Sequence, residues 1–70
     1  MKYVKNDIVE CQNGYDYVIE KVDKVRNTYR AIPLTQYNSE YAMSGKLTDE
    51  NIVRFKGRVY KGAIILGDIQ

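Results

Sequence analysis

Asn13-Gly14 stands between two runs rich in β-branched and aromatic residues, and no other feature constrains the fold of this chain as much. Both residues tolerate positive φ, so the pair predicts a type I′ hairpin turn with a strand on either side. Asp7 to Gln12 reads as the first strand. In the returning segment, Tyr15 to Val25, Val18, Glu20 and Val22 fall on one face and Tyr17, Ile19, Lys21 and Asp23 on the other, the period of a half-buried strand. Val18, Val22 and Val25 also fit a helical i, i+4, i+7 spacing; the β-branched and aromatic content favours the strand.

Lys24-Val25-Arg26-Asn27 is polar and supplies the next reversal. Thr28 to Ile32 alternates again and ends at Pro33, which cannot donate to a central ladder, so a strand closes near Leu34. Thr35 to Gly45 has no clear period and reads as a loop or one helical turn, either a crossover covering one end of a barrel or a binding lip. In Lys46 to Asn51, Thr48 is placed to cap a short 3₁₀ or α turn whose first residues are Asp49 and Glu50. Ile52 to Phe55 is a short strand, Lys56-Gly57 is read as a turn, and Arg58 to Leu66 as the final strand, with Gly62 a bulge or close-approach point. Ala63-Ile64-Ile65-Leu66 is the most apolar window and is expected to be central or covered by a partner.

The expectation is one all-β domain over residues 1–70, a small five-stranded SH3-like barrel or bent antiparallel sheet with one short helical turn. A chain of 70 residues removes only about 60% of its unfolded surface from water. Nothing covalent compensates, since Cys11 is the sole cysteine. The absence of histidine removes the usual zinc constellations and the usual general base, and no carboxylate or glycine spacing replaces them, so neither metal, cofactor nor catalysis is expected. Glu10 and Glu20 are at most hairpin neighbours across Asn13-Gly14, and Cys11 reads as a half-buried structural thiol. The charged N-terminus does not read as a signal peptide or membrane span, which predicts a cytoplasmic protein, and the wealth of Lys, Asn, Ile and Tyr points to an A/T-rich genome, that of a low-GC bacterium or its phages.

Two resemblances follow from quoted segments. Val4 to Gly14, with Asn6-Asp7-Ile8-Val9 and Gly14, resembles the x-G-D-x-V-x-x-x-x-G opening of KOW-type SH3-like domains, and Leu47 to Val53 resembles their acidic segment before the closing strands. Asn6 replaces the usual glycine, and the later Gly-x-x-Gly is absent. The resemblance implies a fold and a habit of binding RNA, DNA or protein. Asp7-Ile8-Val9, Tyr17-Val18-Ile19 and Ile32-Pro33-Leu34-Thr35 are similar to strands of the MazF/PemK-like endoribonuclease toxins. Thr35 matches their catalytic Thr/Ser, but Asp16-Tyr17 stands where they carry Arg-Pro, so this resemblance implies at most a non-catalytic relative.

Residues 1–53 hold seven basic against eight acidic residues, whereas Arg54 to Lys61 holds four basic and no acidic ones. The net charge of +2 therefore originates in that stretch. A hairpin turned at Lys56-Gly57 would present Arg54, Lys56, Arg58, Tyr60 and Lys61 as a ridge, extended by Arg26, Arg30, Lys21 and Lys24, for nucleic acid or an acidic partner. The alternative is a protein interface through Tyr37, Tyr41 and Met43, because exposed tyrosine is suited to hot spots. The expected function is binding, either of nucleic acid or of a nucleic-acid-processing host protein that a phage or mobile-element factor would modulate or inhibit. The apolar tail Ala63 to Ile69 is a candidate homodimer edge.

Overall fold

A computed structural model describes residues 1–67 as an all-β chain of six strands: β1 (Asp7–Cys11), β2 (Asp16–Asp23), β3 (Thr28–Pro33), β4 (Gly45–Leu47), β5 (Ile52–Tyr60) and β6 (Ala63–Leu66). They form one antiparallel sheet in the order β4-β3-β2-β1-β5-β6, with 3₁₀ turns at Leu34–Gln36 and Asp49–Asn51. The sheet is open, with β4 and β6 at its edges. Asp68 and Ile69 lie outside the described residues.

The sheet must curl to accommodate its shortest crossover. The chain leaves β4 at Leu47 and enters β5 at Ile52, four places away in strand order. At about 4.8 Å per strand a flat sheet would separate those places by about 19 Å. A bridge including a 3₁₀ turn, rising about 2 Å per residue, falls short of that distance. Leu47 and Ile52 accordingly pack against one cluster, formed by Val9, Cys11, Ile19 and Tyr29. Neighbouring strand residues point to opposite faces, and the other face buries Ile8, Val18 and Val59 under Leu34 and Tyr37. Both faces of β1 are thereby covered, which is why Ile8 and Val9 are both 0% exposed.

Tyr29 is the largest fully buried side chain. Its hydroxyl donates to Asp49 Oδ1 and accepts from the Tyr3 backbone N–H at 3.2 Å, so the polar tip is satisfied at both ends. The Tyr3 ring meets it edge-on, with centroids 6.1 Å apart. Burial and the bond to Asp49 push the Tyr29 phenol above its ordinary pKa. Asn51 fixes the same crossover: its Oδ1 accepts from the Thr48 N–H at 2.9 Å, and its carbonyl accepts from Gln12 N–H at 2.9 Å. Asn6 takes φ +77, the left-handed conformation that favours glycine, and its carbonyl accepts from Val59 N–H at 2.8 Å.

Several sequence expectations are corrected. The sheet has six strands rather than five because Gly45–Leu47 pairs with β3. Lys56-Gly57 is not a turn. Ile52–Tyr60 runs continuously along β1, with Val53 and Lys56 as extra residues where the register shifts. The final hairpin turns instead at Lys61-Gly62, whose φ values of +50 and +80 are those of a type I′ turn. At the first hairpin only Gly14 takes positive φ, and Asn13 Oδ1 accepts from Tyr15 N–H at 3.0 Å, closing an Asx turn rather than a type I′ turn. Ala63–Leu66 is an edge strand, not a central one.

Gly57 is the close-approach point. A Cβ there would sit 2.1 Å from the Ile65 carbonyl oxygen and 2.7 Å from the Leu66 Cα, backbone atoms that cannot rotate away. Gly57→Ala is expected to destabilise the fold by about 1–3 kcal/mol in urea unfolding, the usual range for overpacking. Gly45→Ala, with nothing within 4 Å of the added carbon, serves as the near-neutral comparison. Tyr29→Phe strands the Tyr3 N–H and the Asp49 carboxylate and should cost about 1–3 kcal/mol in the same measurement.

Candidate functional site

The cations of β5 do not form one ridge. Arg54 Nε donates to Glu10 Oε1 at 2.9 Å, and Lys56 Nζ lies 3.8 Å from the same oxygen and 3.6 Å from Asp16 Oδ2. Arg58 Nε donates to Asp7 Oδ1 at 2.9 Å, and its guanidinium stands 5.8 Å from the Phe55 ring centroid. Asp7 and Glu10 are three residues apart on β1 and so face opposite sides, which turns Arg58 away from Arg54 and Lys56. Tyr60 is exposed beside the hairpin turn, with Lys61 Nζ 5.4 Å from its ring centroid.

These pairs arise from register. Glu10 sits opposite Asp16 on β2, not Glu20 as its hairpin neighbour, and opposite Arg54 on β5. Lys56, the extra residue of a bulge, reaches both carboxylates. The hydrogen bond from Arg54, helped by the charges of Arg54 and Lys56, holds the Glu10 carboxyl below its usual value despite some desolvation. Asp7 is 3% exposed and also accepts from the Val4 N–H at 3.0 Å, so Arg58 completes a structural carboxylate site.

A second group of cations gathers at the other end of the sheet. Lys21 on β2 stands opposite Arg30 on β3, and Arg30 stands opposite Lys46 on β4. Like charges directly opposed across strands destabilise a sheet. All three are exposed, and among the described residues none has a carboxylate within salt-bridge distance. Arg26, from the β2–β3 turn, joins them around a cleft of about 320 Å³, together with Asp23 and Ser44. Asp23 is partly committed elsewhere: its Oδ1 accepts from the Val25 and Arg26 N–H groups, both at 3.1 Å, and shapes the turn that carries Arg26. Alternation along β3 puts Arg30 on the side away from buried Tyr29 and Ala31, free to face a ligand.

Arg26 and Arg30 thus belong to this cleft, while Arg54, Lys56 and Arg58 belong to ion pairs with β1 and β2. Lys46 completes the cleft and was not singled out by the sequence reading. Its signal is the pairing of β4 with β3. The tyrosine loop divides as well. Tyr37 is half-buried against the Ile8, Val18 and Val59 cluster, whereas Tyr41 and Met43 are 84% and 77% exposed. Gln36 Oε1 accepts from Met43 N–H at 3.2 Å, anchoring the loop just before Ser44 enters the cleft wall. Thr35 lies exposed in a 3₁₀ turn, and burial followed by the Asp16 and Glu10 charges pushes the Cys11 thiol above its ordinary pKa.

Among the described residues, no trio of His, Cys, Asp or Glu is placed to hold a metal ion, and no helix is long and apolar enough to cross a membrane. No family model, curated protein or solved structure matches the chain.

The ion pair at Glu10 makes a signed pH prediction. A carboxyl whose folded pKa is lowered contributes stability above its unfolded value, near 4.5, and loses it as pH falls through the folded value. The melting-temperature difference between the parent chain and Glu10→Gln is therefore expected to be present at neutral pH and to shrink as pH drops below about 4.5, read by thermal scans across pH.

Proposed function

We propose that the protein is a non-enzymatic nucleic-acid binder whose contact surface is the cleft of Lys21, Arg26, Arg30 and Lys46. The observation that carries this reading is the row of opposed cations across three adjacent strands. A sheet gains nothing from such a row by itself, whereas a phosphate chain laid along it would neutralise the mutual repulsion. The cleft is open and polar, suited to a backbone track rather than an enclosed small molecule. Exposed Tyr41, on the loop that runs into the cleft wall, offers a ring for an unpaired base. Arg54 and Arg58 contribute less because carboxylates already occupy them.

Fluorescence anisotropy with labelled single- and double-stranded oligonucleotides tests the reading. If all four cleft cations contact phosphates, single-strand affinity should fall about 50-fold between 50 and 200 mM salt. Arg30→Ala and Lys46→Ala should each weaken binding and flatten that salt dependence, while Arg54→Ala leaves it nearly unchanged. Absence of binding at low salt with 100 µM protein would sink the proposal. A nuclease-resistant complex with a host protein, lost on Tyr41→Ala, would transfer it to the protein-partner reading.

A further inference from the structure

We infer that β6 is a self-association edge, at which two copies of this chain pair antiparallel about Ile65. The ladder fixes which backbone groups are available. Gly67 N–H donates to Lys56 O at 2.8 Å, so the bonded pairs between β5 and β6 fall on the odd-numbered residues of the returning strand. Ile64 and Leu66 consequently turn their N–H and C=O groups outward, away from β5. They flank Ile65 symmetrically. In a second copy related by a two-fold axis through that position, Ile64 of one chain meets Leu66 of the other, and each such pair exchanges both of its N–H···O bonds. No side chain of β6 obstructs this arrangement. The strand contains no charge and no proline, the usual blunting devices of an edge, and Ile64, Ile65 and Leu66 are 46%, 38% and 58% exposed.

Charge and closure select a second copy in this orientation. The cleft cations lie on β2, β3, β4 and the β2–β3 turn, and both β1 and β5 separate them in strand order from β6. Pairing through β6 therefore joins the two chains at the edge farthest in strand order from those cations. Pairing β6 with β4 of another copy would use a three-residue strand that carries Lys46, and it would build a head-to-tail array instead of a closed dimer. The β6 edge is short compared with the roughly 20–30 residues a side of a standard interface, so the association belongs in the micromolar-to-millimolar range.

Disulfide trapping reads the register directly. In the proposed pair, the two Ile65 residues form a non-hydrogen-bonded couple with Cα atoms about 4.5 Å apart, within the reach of a disulfide. Ile65→Cys is expected to cross-link to a covalent dimer under mild oxidation at least tenfold faster than Ile64→Cys, with the parent chain as background because Cys11 is buried. Sedimentation of the parent chain, without nucleic acid, should show a concentration-dependent monomer–dimer equilibrium. Leu66→Pro removes an outward N–H while sparing the bonds to β5, and should leave a monomer with a near-parental unfolding midpoint. A parent chain that stays monomeric at 1 mM, equal trapping at both cysteine positions, or growth into polymers would overturn the inference.

Discussion

The crossover from β4 to β5 governs this fold. The residues between Leu47 and Ile52 connect one edge of the sheet to a strand four places away, and a flat sheet would put that strand out of reach. Curling brings the ends together, and the bond from the Tyr29 hydroxyl to Asp49 holds the crossover against the curled face. Tyr29 suits the position because its ring adds to the apolar cluster while its hydroxyl meets a polar segment crossing above it. The backbone bond between Gln12 and Asn51 ties the same crossover to the loop after β1. A small core thereby obtains curvature without a disulfide or a metal.

Curvature and register sort the basic residues into two populations. Along β1, Asp7 and Glu10 intercept Arg58 and Arg54, and Lys56 lies between Glu10 and Asp16. These contacts join strands as much as they carry charge. At the β4 end, Lys21, Arg30 and Lys46 oppose one another across the ladder, and Arg26 approaches from the turn. Local charge density along the sequence is therefore a poor guide to which cations remain available. The densest stretch is the more fully neutralised one.

Much of the fold was legible because its signals are local. The alternation of Tyr17, Val18 and Ile19, the polar reversal at Lys24 to Asn27, the stop at Pro33 and the place of Thr48 at the head of the second 3₁₀ turn all correspond to observed elements. β4 escaped because a strand of Gly45, Lys46 and Leu47 has one apolar residue and no visible period. Lys56-Gly57 has the composition of a turn, but Gly57 serves the approach of β6, while the true turn places Lys61 at positive φ, a position more often filled by Asn or Gly. For the site, Arg26 and Arg30 were identifiable as cations near a reversal. The neutralisation of Arg54 by Glu10 joins residues 44 positions apart, and only the three-dimensional register reveals it.

The two extra residues in β5, Val53 and Lys56, carry a consequence for how this gene can vary. Each insertion resets the inside–outside parity of the strand, so Phe55 follows the face of Val9 while Gly57 follows that of Ile8. Loss of the codon for either residue would remove its bulge and set the flanking residues in plain alternation, so that Arg58 could keep its place opposite Asp7 and Val59 its place in the Val18 cluster; loss of any other residue would force the neighbouring bulge residue to take up the slack. Substitutions at the exposed positions of β5 can be absorbed one at a time, whereas Gly57 is held by the approach of β6. A change in its length is absorbed only by losing a bulge, so divergent versions of this chain should keep Gly57 and the faces of Phe55, Arg58 and Val59, and differ in length along β5 only at the positions of Val53 and Lys56.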